Sequence, residues 1–169
     1  GEAGCDDALV GIGQPGRLAL EFTREAESAQ VAVRSALADV KRAVPSATLV
    51  ESVPDCVGLT GVAEMVGGAR QAMRKLMLSH AATFPAPVHE GSASILHLAE
   101  VLGWLEEEGG YALEGKMLET ARAALQVNLA REVGRLPVDA ARELRVLVAC
   151  PHLLTSRRIT HWPAFALPD

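Results

Sequence analysis

The stretch Val57–Glu108, VGLTGVAEMVGGARQAMRKLMLSHAATFPAPVHEGSASILHLAEVLGWLEEE, decides the fold. Thr60 is placed to cap a short helix whose inward positions are Val62, Ala63 and Val66, because its hydroxyl can accept one of the unpaired amides of a first turn. Gly67-Gly68 then supplies a tight turn, as helix-turn-helix units require between their two helices. A second helix is predicted from Ala69 to about His80, with Ala69, Ala72, Met73, Leu76 and Met77 on one face and Arg70, Gln71, Arg74 and Lys75 on the other. One side anchors such a helix and the other offers long donors to base edges and phosphates. The segment Pro87–Ile95 is too short and turn-rich for a helix and reads as a small hairpin with Glu90-Gly91 at its tip. A helix from about His97 to Glu108 closes the unit, with Leu98, Val101, Leu102 and Leu105 inward.

Outward from this stretch, Asp7–Ile12 and Arg17–Phe22 are apolar-rich runs joined by Gly13-Gln14-Pro15-Gly16, a hairpin signal. Ser28–Ala43 reads as a helix that Pro45 ends, with Val31, Val33, Ala36, Leu37, Val40 and Val44 close to a 3.6-residue period. Thr48–Val53 is expected to return as a strand, and Gly1–Cys5 is read as the stub of an earlier helix. Beyond the middle stretch, Leu113, Met117, Ala121, Leu125, Leu129 and Val133 recur at four-residue steps, widened by Leu118 and Leu136, which marks a long amphipathic helix. A second helix follows Pro137 and runs to about Ala149, and Pro151, Trp162, Pro163, Phe165 and Pro168 give the end of the chain the composition of an extended arm.

Charge is uneven along the chain. The total is −5, yet residues 58–98 hold 3 basic and 2 acidic side chains, whereas residues 1–57 hold 5 and 9. Local field governs docking on phosphate more than the total does, so the balance disfavours non-specific binding and leaves a specific reader open. Cys5, Cys56 and Cys150 are odd in number and far apart, with no CxxC spacing, and are read as buried or idle thiols of a reducing, cytoplasmic compartment. No apolar run is long enough to span a bilayer.

The helix, turn, helix, hairpin, helix order resembles the winged helix-turn-helix proteins of MerR and excisionase (AlpA-like) type. The residues that carry it are Leu59-Thr60-x-x-Ala63 before the Gly67 turn, Arg70 and Arg74 on the second helix, Phe84-Pro85-x-Pro87 entering the wing, and Leu98-x-x-Val101-x-x-Trp104-Leu105 after it. In that family the second helix enters the major groove and the wing approaches the flanking backbone or minor groove. The resemblance therefore implies base or phosphate contact for Arg70, Gln71, Arg74 and Lys75, and wing contact for His89 and Ser92. Where the family usually caps the second helix with serine or threonine, this chain has Gly68-Ala69.

The expected fold is α+β: a partial ferredoxin-like αβ unit for dimerisation or partner binding over 1–54, a winged helix-turn-helix over 55–110, a helical dimerisation region over 111–150 and an extended arm over 151–169. The expected function is that of a sequence-specific transcription regulator or excision-type architectural factor, a homodimer on double-stranded DNA. The alternative is a protein-interaction adaptor on a helix-turn-helix scaffold. No enzyme, cofactor or metal is expected. Gly11-Ile-Gly-Gln-Pro-Gly16 spells GxGxxG, but a strand pattern follows it where a dinucleotide site needs a helix N-terminus. Cys150-Pro-His152 lacks any further mark of a nucleophile, and His80, His89 and His97 match no zinc spacing.

Overall fold

A computed structural model describes residues 4–149. Among them the chain is α+β, with six helices and two small antiparallel sheets.

The first sheet is a hairpin of β1 (Ala8–Ile12) and β2 (Leu18–Phe22), in register from Ala8 opposite Phe22 to Ile12 opposite Leu18. Its turn follows from the sequence. The Arg17 amide donates to the Gln14 carbonyl at 3.0 Å, Pro15 stands second, and Gly16 at φ +75 takes the left-handed position that a type II turn demands. Helix α1 (Ala29–Ala43) begins at Ser28, whose hydroxyl accepts from the Val31 amide at 3.3 Å, as an N-cap serine does. Arg24 joins the hairpin to α1. It donates to both carboxylate oxygens of Asp7 at 2.7 and 2.9 Å, to Asp39 at 3.0 Å and to the Ser35 hydroxyl at 2.8 Å, and it lies 4.8 Å from the Phe22 ring centre.

The return strand expected at Thr48–Val53 does not form, so the N-terminal sheet stays two-stranded and the ferredoxin-like expectation loses its third strand. The physical reason is a side-chain substitute for a strand partner. The Asn128 amide accepts from the Ser52 N–H and donates to the Ser52 carbonyl, both at 2.8 Å, and so saturates the backbone where a ladder would begin. The strand comes later, as β3 (Cys56–Gly58).

From β3 the chain passes directly into α2 (Leu59–Met65), then α3 (Arg70–Ser79), β4 (His89–Glu90), β5 (Ser94–His97) and α4 (Leu98–Glu107). Strand β5 is central in the second sheet, pairing with β3 from Cys56 opposite His97 to Gly58 opposite Ile95, and with β4 at His89 opposite Ile95. Thr60 lies inside the first turn of α2 and makes no cap, because Gly58 is still strand-paired and occupies the cap position itself. At the other end of α2, the Gly67 amide donates to Glu64 O and the Gly68 amide to Ala63 O, with Gly67 at φ +67. That is a Schellman closure, and it needs glycine at the left-handed residue.

One core serves this whole stretch. Val62 and Ala63 of α2, Met73 of α3, Phe84, Leu96 of β5 and Leu98, Val101, Leu102 and Leu105 of α4 are all buried. Helix α5 (Gly115–Arg135) contributes Leu118 and Ala121 to the same core, with Leu113, Met117 and Leu125 packed at its margin. Much of the apolar stripe expected to dimerise is thus covered by the chain's own middle segment. Leu129, Val133 and Leu136 remain exposed.

The last turn of α5 and helix α6 (Val138–Ala149) belong to a separate compact unit that begins at Ala130. Within it Glu132 pairs with Arg131 and Arg135, and no residue of α6 is buried. The expected arm over 151–169, with Trp162 and Phe165, and the Cys150-Pro-His152 cluster lie outside the described residues. No helix among the described residues is long and apolar enough to cross a membrane.

Candidate nucleic-acid interface

Helix α3 presents its four candidate residues as two stacked pairs. Arg70 and Arg74 are one turn apart, as are Gln71 and Lys75, so each pair leaves the same side of the helix. All four are exposed. None of the three cations forms an ion pair with a described residue, which leaves their charge uncommitted.

The anchoring side of α3 is narrower than the apolar periodicity suggests. Met73 is buried and Leu76 and Met77 are half-buried, but Ala69 and Ala72 are exposed. Leu78 is also turned out, at 61% exposure, and stands one turn beyond Arg74. Sequence reading did not single out Leu78. A leucine within an apolar run has no local signal to separate an outward position from a core one.

The C-terminal end of α3 is held by Trp104 of α4. The His80 ring lies edge-on to Trp104 at 5.3 Å between ring centres and the Phe84 ring at 5.0 Å, while the indole N–H donates to Thr83 and Glu108 at 3.1 Å. Edge-on rings with a satisfied indole N–H make a specific joint rather than a slippery contact. The N-terminal end is left to its backbone, since Ala69 at the cap position offers no side-chain acceptor. The free amides of a helix start can also donate hydrogen bonds to an anion.

The predicted hairpin forms as β4 and β5, and its tip runs through Gly91, Ser92 and Ala93. His89 and Ser92 are both exposed, one on β4 and one in the turn. A side chain at Gly91 would begin 3.0 Å from His89 Nε2, so glycine there leaves room for the imidazole over the turn. Glu90 adds a negative charge between them. Helix α3 and the hairpin carry their candidates on separate elements, joined below by the shared core of Met73, Leu96 and Leu98.

A second polar constellation lies behind the sheet. Asp55 is 3% exposed, and its Oδ1 lies 2.8 Å from His97 Nδ1 while its Oδ2 accepts from the Asn128 amide at 2.8 Å. The Asp55 carbonyl accepts from the Leu98 amide at 2.7 Å and so engages the first turn of α4. Cys56 is exposed and stands opposite His97 across the ladder. Partial desolvation of its sulfur, and then the negative charges of Asp55 and Glu51, push the thiol up from its ordinary value. Those same forces disfavour a free nucleophilic thiolate. Asp55 and His97 are 42 residues apart, so no spacing in the sequence could announce the pair.

Compared with protein families, curated proteins and solved structures, the chain matches none.

Proposed function

We propose that the chain is a sequence-specific DNA-binding regulator in which residues 55–110 act as a winged helix-turn-helix. One observation carries this reading: α3 holds Arg70, Gln71, Arg74 and Lys75 exposed, the three cations without ion-pair partners among the described residues, on a helix fastened from behind by Met73 and Trp104. Guanidinium forks can read guanine through two hydrogen bonds, and the lysine supplies a point charge to phosphate.

In this reading α3 enters the major groove, and Leu78 offers apolar contact to a thymine methyl group beyond Arg74. His89 and Ser92 on the hairpin approach the flanking backbone, where Glu90 keeps their contribution small. A homodimer on a two-fold site remains part of the proposal.

Selection of bound duplexes from a random library, scored by mobility shift at two salt concentrations, tests the reading. The expected result is an enriched sequence whose binding is lost when Arg70, Arg74 and Lys75 are changed together to alanine in a chain that still folds. Retained binding, or the absence of any enriched duplex, leaves the adaptor reading in its place. Sedimentation at micromolar concentration tests the dimer.

A further inference from the structure

We infer that Asp55, Cys56 and His97 form a three-ligand site for a zinc-class divalent ion, with the fourth position open to water. The inference is independent of DNA binding. One ligand atom from each of the three residues lies within 4.8 Å of the others. Their placement is built rather than casual. Cys56 and His97 are direct partners on β3 and β5, and cross-strand partners project to the same face. Asp55 is fixed beside them by three bonds, from Leu98 N to its carbonyl and from His97 and Asn128 to its two carboxylate oxygens.

The donor set selects the ion. A thiolate, an imidazole nitrogen and a carboxylate suit zinc and its neighbours and do not suit magnesium or calcium. Zinc bonds of about 2.0–2.3 Å place tetrahedral ligand atoms roughly 3.4–3.6 Å apart. The 2.8 Å Asp55–His97 contact must therefore open by about 0.7 Å and the sulfur must close by little more than about 1 Å, both within the reach of side-chain rotation. On binding, the Cys56 thiol releases its proton to solvent and forms a sulfur–metal bond, and neutral His97, its ring proton then carried on Nε2, donates the Nδ1 lone pair in place of its contact with Asp55. Two negative ligands then balance the doubly charged ion beside the buried Asp55. Asn128 remains on the second carboxylate oxygen, the outer partner that orients a ligating carboxylate. Exposure of Cys56 gives the ion a way in.

The probe is cobalt(II), which reports thiolate ligation as a charge-transfer band in the near ultraviolet, added to the full chain and then displaced by zinc(II). The expected result is one equivalent per chain, a band kept in the Cys5→Ser, Cys150→Ser double variant and abolished in Cys56→Ser. Since Cys56 is exposed, this last variant should fold, which its circular dichroism verifies. His97→Gln should weaken cobalt binding by at least about tenfold, since losing an outer-shell partner alone costs that much. No band in the parent chain, a band that survives Cys56→Ser, or unchanged affinity in folded His97→Gln overturns the site.

Discussion

The middle stretch and the N-terminal hairpin solve the same problem in opposite ways. Around α4 the chain removes large side chains from water completely: Leu96, Leu98, Val101, Leu102 and Leu105 are all at 0% exposure. In the hairpin, Leu9, Ile12 and Leu18 stand 69%, 82% and 60% exposed, and polar bonds from Arg24 to Asp7, Asp39 and Ser35 tie the base of the hairpin to α1. The first region is built on non-directional burial, whose free energy scales with area. The second rests on a few directional bonds. Removing one apolar group should thus be costly in the middle and nearly neutral in the hairpin.

The largest expected effect is Leu102→Ala. Deleting a fully buried leucine side chain from a close-packed core costs about 2–5 kcal/mol, the lost transfer energy plus the cavity left behind. Ile12→Ala, at an exposed position, should stay within about 0.5 kcal/mol of the parent. Urea unfolding monitored by circular dichroism compares the two. Equal losses would mean that the hairpin face is covered in solution and that the comparison fails.

Next comes Asn128→Ala, which probes the polar joint between α5 and the segment that leads into β3. The amide serves both backbone groups of Ser52 and one oxygen of the buried Asp55. Leaving a buried carboxylate short of a donor costs about 1–3 kcal/mol, so the variant should fall below Leu102→Ala and well above Ile12→Ala in the same unfolding assay. A neutral result would show that water replaces the amide without loss.

Arg74→Ala acts on function, because α3 borrows the rigidity of the middle core. If the DNA reading holds, Arg74→Ala should cost about 1–3 kcal/mol of specific binding and relax preference at one or two base positions. Lys75→Ala should instead weaken all duplexes alike and lower the salt slope by about one unit. Both positions are exposed, so neither change should alter the unfolding midpoint. Competition binding at several salt concentrations separates the two behaviours.

Legibility in the sequence followed the range of the interactions. Val62, Ala63, Leu98, Val101, Leu102 and Leu105 were readable as inward because helical periodicity is local, and all six are buried. The Gly67-Gly68 and Gln14-Pro15-Gly16 turns were readable because backbone chemistry specifies them within a few residues. What escaped was long-range. The absent strand at Thr48–Val53 depends on Asn128, 76 residues from Ser52, and the three-stranded sheet depends on Cys56 meeting His97. The apolar stripe of α5 was correctly seen as apolar. Its partner was not, since a stripe does not say whether it faces its own chain or another. At the candidate interface, the exposure of Arg70, Gln71, Arg74 and Lys75 was legible from their placement opposite Met73, and the outward turn of Leu78 was not.

The smallest expected effect is an acid-induced loosening confined to the hairpin. The Arg24 guanidinium bonds hold the Asp7 carboxyl below its ordinary value of 3.8 in the folded chain, so the unfolded segment binds a proton more readily than the folded one. A depressed carboxyl contributes stability that is complete above the unfolded value and disappears as pH falls through the folded one. The contribution from Asp7 should therefore be intact near neutrality and decline from about pH 3.8 downward. Asp39 shares Arg24 and also pairs with Arg42, so α1 keeps a charged partner when Asp7 lets go. The middle core has no comparable dependence on Arg24, and its amides should stay protected over the same range. Hydrogen exchange of the β1 and β2 amides against those of α4, followed from pH 5 to pH 3 and corrected for intrinsic exchange, measures the difference. Asp7→Asn should bring the low-pH looseness of the hairpin to neutral pH and flatten its response. If hairpin and α4 amides lose protection together in the parent chain, the Arg24 cluster holds no separate element and the two regions unfold as one.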